Sequence, residues 1–163
     1  MLIRHAKAEP HGGDDVKRTL DPRGERDARE IGRWLRESQL TSGTAVVSPS
    51  RRTRQTWQLA AEELGAAPTV SHDERIYEGT VEDLLTVIRD SPPQALTLFL
   101  VGHNPGIAGL ATGLEDATGD RSAAREMAAK YPTSGIAVFA VEGPWSALCL
   151  GEGHLISFTV PRG

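Results

Sequence analysis

The stretch Leu96-Thr97-Leu98-Phe99-Leu100-Val101-Gly102-His103-Asn104-Pro105-Gly106 decides how the rest of the chain is read. It opens as a near-continuous apolar run with β-branched and aromatic members. Too short to span a membrane, such a run reads as a strand covered on both faces, as in a parallel sheet. The run then ends abruptly. Gly102 gives the backbone freedom to turn, Asn104 is a residue of N-cap type, and Pro105 is pre-set for the first position of a helix. His103 is therefore expected at the carboxyl end of a strand, facing a helix N-terminus. In open α/β sheets ligands collect beyond the carboxyl ends of strands, and a helix N-terminus presents free N–H groups and positive potential to an anion. The stretch predicts a small pocket for a negatively charged group.

The same pattern recurs on either side of it. Met1 to His5 is a short apolar strand ending in two polar residues, Arg4 and His5. Lys7 to Lys17 holds Pro10, Gly12, Gly13, Asp14 and Asp15 and reads as an exposed, mobile loop. Asp21 and Pro22 then read as N-cap and first residue of a helix over 22–38, with Ala28, Ile31, Trp34 and Leu35 on one face. Thr44 to Val47 is a second strand, stopped by Ser48 and Pro49 and followed by a helix through Trp57 and Leu64 to Gly65. A third strand near Thr69 and Val70 leads through Glu74, Tyr77 and Glu78 into an amphipathic helix containing Leu84, Leu85 and Ile88.

Beyond the opening stretch come a helix from Pro105 and an alanine-rich helix near Ser122 to Lys130. Two strands follow, Gly135 to Val141 and Trp145 to Leu150, joined by a turn at Gly143 and Pro144, and a strand-like tail runs from Leu155 to Val160. Alternating strands and helices predict an α/β fold, a three-layer α/β/α sandwich with a mainly parallel central sheet and helices on both faces. With 163 residues and no linker or repeat, a single domain over 1–163 is expected.

Composition narrows the class of function. A net charge of -4 gives no general attraction to nucleic acid or to an anionic membrane, so any anion pocket must be local. Cys149, the only cysteine, has no internal disulfide partner and sits between Leu148 and Leu150, which reads as a buried apolar position. No charged segment precedes an apolar export signal, and a cytoplasmic location is the expectation. No histidine or cysteine pair has metal-ligand spacing, so a zinc site is not expected. Gly12-Gly13 lacks the lysine and hydroxyl of a P-loop, and His11, His72 and His154 read as surface residues. Trp34, Trp57 and Trp145 read as packing anchors.

Three strand ends carry cationic or imidazole groups: Arg4 with His5, Arg51 with Arg52 just into the following helix, and His103. If these strands are neighbours, the groups converge on one edge. A guanidinium is a planar fork of donors that suits phosphate oxygens, and an imidazole can serve as nucleophile, base or donor.

Arg4-His5-Ala6, then Ser48-Pro49-Ser50-Arg51-Arg52, then Gly102-His103-Asn104-Pro105, resemble in order and placement the motifs of the histidine phosphatase superfamily, the phosphoglycerate mutase-like proteins. Arg18-Thr19-Leu20 and Gln55-Thr56, in so short a chain, make it look closest to the SixA-type phosphohistidine phosphatases. The resemblance implies a metal-independent phosphatase in which His5 is the nucleophile and forms a phosphohistidine intermediate. It implies that no cofactor is needed, that Arg4, Arg52 and His103 surround the phosphate oxygens, and that Gly102 lets the backbone come close; Arg18 reads either as leaning into the pocket or as pairing at the surface with an acidic neighbour. Arg52 fits the family's spacing, whereas Arg51 reads as a solvated helix face. The general acid of larger relatives has two candidates here, Glu74 and Glu78.

Ala6 replaces the family's usual glycine, which predicts a backbone that does not need a positive φ there. The implied substrate is a phosphorylated group, first of all a phosphohistidine-bearing protein; a small-metabolite phosphomonoesterase and a non-catalytic phosphate-binding module are the alternatives. Nearby arginines should lower the His5 pKa below 6.5. All of this requires the rings of His5 and His103 to share one cavity.

Overall fold

The computed structural model describes residues 1–10, 13–65 and 68–163; His11 and Gly12 lie outside the described residues. In chain order the elements are β1 (Leu2–Arg4), α1 (Pro22–Glu37), β2 (Thr44–Val47), α2 (Arg51–Leu64), β3 (Thr69–His72), α3 (Val81–Arg89), β4 (Leu98–Gly102), α4 (Gly106–Leu114), α5 (Arg121–Ala129), β5 (Ile136–Val141) and β6 (Gly153–Thr159). Short 3-10 turns stand at Asp15–Lys17, Glu74–Ile76 and Trp145–Ala147.

The strands form a single sheet in the order β3-β2-β4-β1-β5-β6. Its first four members run parallel, while β5 is antiparallel to β1 and β6 is antiparallel to β5. Every residue of β4 is buried, as the apolar run requires of a central parallel strand. Its alternating side chains reach both layers. Phe99 and Val101 pack with Ile31 and Leu35 of α1 and Trp57, Ala60 and Leu64 of α2. Leu98 and Leu100 pack with Leu84, Leu85 and Ile88 of α3, Ile107 and Leu110 of α4 and Met127 of α5. Helices thus cover both faces of a mainly parallel sheet, as the alternation of segments predicts. Among the described residues no helix is long and apolar enough to cross a membrane.

The parallel order places the carboxyl ends of β1, β2 and β4 side by side. Register pairs Arg4 with Gly102 and Val47 with Val101, so the residues that follow each strand emerge on one edge. Gly102 is held there by packing: a Cβ on it would lie 2.8 Å from Ile76 Cγ2 and 3.1 Å from Ile107 Cγ1. Its carbonyl accepts the His5 N–H at 3.0 Å, which fixes the histidine's backbone against β4. Asp21 caps α1 as the sequence suggests, its Oδ1 accepting from Gly24 N at 2.7 Å ahead of Pro22 in the first turn.

Three local expectations differ from the structure. Trp145 to Leu150 is not a strand: it begins with the 3-10 turn at Trp145–Ala147, and the partner of β5 is β6, drawn from the segment expected as a tail. The Trp145 indole N–H donates to Ala95 O at 2.6 Å and Leu148 is buried, so the segment is fastened through side chains while its backbone turns. Cys149 is exposed, because outside a strand only Leu148 of its neighbourhood points inward. Asn104 does not cap α4, which starts at Gly106 after Pro105; its side-chain amide donates instead to Tyr131 O at 2.9 Å.

Candidate active site

His5 extends β1 past its last ladder residue. Its N–H donates to Gly102 O and its carbonyl accepts from Ser134 N at 3.1 Å, so the chain is clamped from both sides. Ala6 follows without a positive φ, buried, with its N–H on Thr56 Oγ1 at 3.0 Å. Among the described residues the His5 ring makes one hydrogen bond, from Nδ1 to Ala6 O at 2.7 Å. A carbonyl only accepts, so Nδ1 carries the proton and the neutral ring keeps its lone pair on Nε2.

The His103 ring stands 5.1 Å from that of His5, centroid to centroid, at an interplanar angle of 54°. Its Nε2 lies 2.8 Å from Ser48 Oγ and 3.4 Å from Ser50 Oγ. Ser48 is fully buried and its hydroxyl has no other partner among the described residues, so its proton belongs on Nε2. That assignment leaves the ring's own proton on Nδ1, a buried donor without a partner. The serines that stop β2 are thus what set the tautomer of a histidine at the end of β4.

Around the two rings stand the arginines. Arg4 Nη1 donates to Tyr131 O at 2.8 Å, and its Nε has no partner among the described residues. Arg52, in the first turn of α2, is only 6% exposed. It donates through Nη1 to Asp15 O at 2.7 Å and through Nη2 to Asp15 Oδ2 at 2.9 Å, and its Nε is likewise unpartnered. Arg51 and Arg54 are exposed. The unpartnered nitrogens of Arg4, Arg52 and His103 are costly as they stand, each a buried donor left unmade. A tetrahedral oxyanion is the kind of ligand that satisfies such a set.

Arg18 enters through a residue that sequence reasoning passed over as a loop breaker. Asp15 Oδ1 accepts from Arg18 Nη1 at 2.8 Å, while Oδ2 accepts from Arg52 and from the Tyr77 hydroxyl at 2.8 Å. The loop carrying Asp15 is fastened at its base, where Arg18 Nε and Nη2 donate to Glu9 O at 3.0 and 2.8 Å. Tyr77 turns its ring edge to His103 at 5.5 Å and lies under the Arg52 guanidinium at 5.9 Å. The one sequence signal for this clasp is the Asp15-x-x-Arg18 spacing, which suits a one-turn ion pair.

Glu74 and Glu78 are both exposed, and neither side chain makes a hydrogen bond or ion pair among the described residues. The charge of Glu78 acts on the adjacent Tyr77 hydroxyl. His72 is exposed and His154 sits beside Asp116, away from this edge.

Electrostatics sets the protonation states. Burial, and then the charges of Arg52, Arg4 and Arg18, hold His5 down at about 4 against a bond to Ala6 O that works the other way. The direction is the one the sequence predicts, but dehydration outweighs the arginines. Burial, then His5 and Arg52, hold His103 down at about 3. Both rings are neutral at pH 7. Chiefly through the Arg18 hydrogen bond, Asp15 is held well below the usual carboxylate range, while burial and the Asp15 carboxylate push Tyr77 up.

A histidine-resolved NMR titration of the free protein should find both rings neutral throughout the range from pH 7 to 5; a midpoint near 6.5 for either would contradict the geometry. The same shifts make the fold acid-sensitive. As pH falls below 6.5 the unfolded chain's imidazoles take up protons that the folded rings refuse until about 4 and 3. Stability is therefore lost in that window by about 1.4 kcal/mol per pH unit for each ring, which denaturant melts at pH 7 and 5 will measure.

Comparison with known proteins points the same way. The histidine phosphatase superfamily (branch 1) matches residues 1–151. An uncharacterized protein of Mycobacterium tuberculosis (strain ATCC 25618 / H37Rv) is 37% identical over 162 residues, 98% of this chain and 100% of that one. A protein of Nakamurella multipartitia assigned as the phosphohistidine phosphatase SixA superimposes with a TM-score of 0.87 at 29% identity, covering 99% of this chain and 95% of the other. One from Agrobacterium tumefaciens with the same assignment gives a TM-score of 0.81 at 25% identity, over 98% and 96%. With the paired imidazoles, the guanidinium groups around them and this match along nearly the whole length, the chain belongs to branch 1 of the histidine phosphatase superfamily.

Proposed function

We propose that this phosphatase hydrolyses phosphohistidine on a carrier protein, through a phosphorylated His5. The observation that carries the reading is the pair of neutral rings 5.1 Å apart, one with its lone pair on Nε2 and the other with a free Nδ1–H donor. In-line attack forms a bond from His5 Nε2 to phosphorus as the bond to the leaving group breaks. Water then attacks phosphorus as its bond to Nε2 breaks, which releases phosphate and restores the free imidazole, splitting one displacement into two. Arg4, Arg52 and the His103 Nδ1–H neutralise charge on the equatorial oxygens as it spreads in a loose transition state.

A phosphohistidine suits this site because its leaving imidazole can take up a proton on the other ring nitrogen before the P–N bond breaks, so no buried carboxylic acid is needed. For an ester, exposed Glu78 beside Tyr77 is the carboxyl group this reading offers as proton donor to the leaving oxygen. The likeness to proteins assigned as SixA over 95% and 96% of their lengths supports the same substrate class.

The test is phosphate release from a phosphohistidine peptide and from a panel of sugar phosphates, each with and without a chelator. Turnover of the peptide should survive chelation and exceed every sugar phosphate at least about tenfold in kcat/KM. A sugar phosphate that outruns the peptide would make this a small-metabolite phosphatase instead.

A further inference from the structure

Asp15 is a carboxylate placed among the cations of a site built to hold an anion. Among the described residues, Arg18, Arg52 and Tyr77 donate to its carboxylate oxygens, while its main-chain carbonyl accepts from Arg52 Nη1. The arrangement is not a chance surface pair: Arg52 is 7% and Arg18 22% exposed at the side chain, whereas Asp15 at 31% reaches solvent at the mouth. The guanidinium forks therefore present their outer nitrogens to Asp15.

The charge of the pocket follows from these contacts. Arg4, Arg18 and Arg52 all act on His5, both histidines are neutral, and Arg4 has no carboxylate partner among the described residues. The Asp15 carboxylate sits among these cations, and the Glu78 charge acts on the adjoining Tyr77 hydroxyl. A substrate with a second acidic group beside the phosphate brings a further negative charge toward that carboxylate. It also finds the donors best shaped for a carboxylate, those of Arg18 and Arg52, already engaged by one. A phosphoryl group on an uncharged or cationic carrier meets no such obstacle.

We propose that Asp15 is the specificity-determining residue of this pocket, admitting phosphoryl groups on neutral or cationic carriers and excluding substrates that carry a carboxylate next to the phosphate. The proposal rests on the phosphatase reading above and adds to it the reason why an imidazole-borne phosphate is preferred to a phosphorylated acid.

Two ligands that differ by a single charge test it: N-acetyl-phosphoserine and N-acetyl-phosphoserine amide. Wild-type protein should favour the amide at least about tenfold in kcat/KM, equivalent to about 1.4 kcal/mol. Asp15→Asn keeps the shape and an acceptor for Arg52, and should bring the ratio close to one; Asp15→Glu should restore the preference. If Asp15 only props up the loop, Asp15→Asn will lower both substrates in parallel and leave the ratio unchanged, which overturns the proposal.

The same comparison by calorimetry, with His5→Ala and His5→Ala/Asp15→Asn proteins, reads the ratio from dissociation constants and does not depend on turnover. A wild-type protein that releases no phosphate from the phosphohistidine peptide yet binds the amide selectively through Asp15 would refute the phosphohistidine reading and leave the selectivity standing. Equal binding of the two ligands when Asp15 is present would refute the selectivity alone.

Discussion

His5→Ala is expected to lower kcat by about 10⁴-fold or more and to leave the protein without any acid-labile phosphate. In the wild-type protein, quenching into base during turnover should trap phosphate on a single histidine, because the phosphorylated ring is an obligatory stop between substrate and water. The size of the effect follows from what is lost: Arg4, Arg52 and the His103 donor remain, but no lone pair faces phosphorus. For the same reason the variant should still bind orthovanadate.

The fold should tolerate the change. Among the described residues, both long-range hydrogen bonds of residue 5, to Gly102 O and from Ser134 N, are main-chain bonds, and the ring's one hydrogen bond is to the adjacent Ala6 O. A thermal midpoint within a few degrees of wild type therefore separates lost chemistry from lost structure. Turnover that persists in His5→Ala would remove the covalent mechanism.

The parts of this site that could be read from the sequence are those whose position is dictated by strand ends. A buried parallel strand must terminate where its apolar run does, so His103 after Leu98–Gly102 and His5 after Leu2–Arg4 were placed on one edge as soon as the two strands were taken as neighbours. Asp15 and Tyr77 were not legible in the same way. Their meeting joins a loop after β1 to the segment after β3, 62 positions apart, and no periodicity encodes a contact between two irregular segments.

Ser48 shows a subtler limit. It was visible as the residue that stops β2, yet its bond to His103 Nε2 depends on the β2–β4 register, which the hydrophobic pattern does not number. The misplaced strand at Trp145 to Leu150 has the opposite cause. Its apolar residues are real anchors, but Trp145 and Leu148 fasten a turn, and the alternation of buried and exposed residues in β6 lay further on.

Arg52→Ala should reduce kcat/KM by about 10³-fold, and most of the loss should fall on kcat. A guanidinium that met ground state and transition state equally would show itself in KM; one whose partner oxygens gain charge as the phosphoryl group comes loose shows itself in kcat. Arg52→Lys keeps the charge but gives up the planar fork that spans Asp15 and its remaining Nε donor, and should recover only about tenfold of the deficit. Arg51→Ala is the internal control. One residue earlier in the same helix turn, Arg51 is exposed and makes no ion pair among the described residues, so its removal should change kcat/KM by less than about twofold. Because Arg18 and Tyr77 still hold the Asp15 carboxylate in the Arg52 variants, the loop keeps two of its side-chain tethers. Equal losses at positions 51 and 52 would mean that general positive potential, and not the buried fork on α2, carries the phosphate.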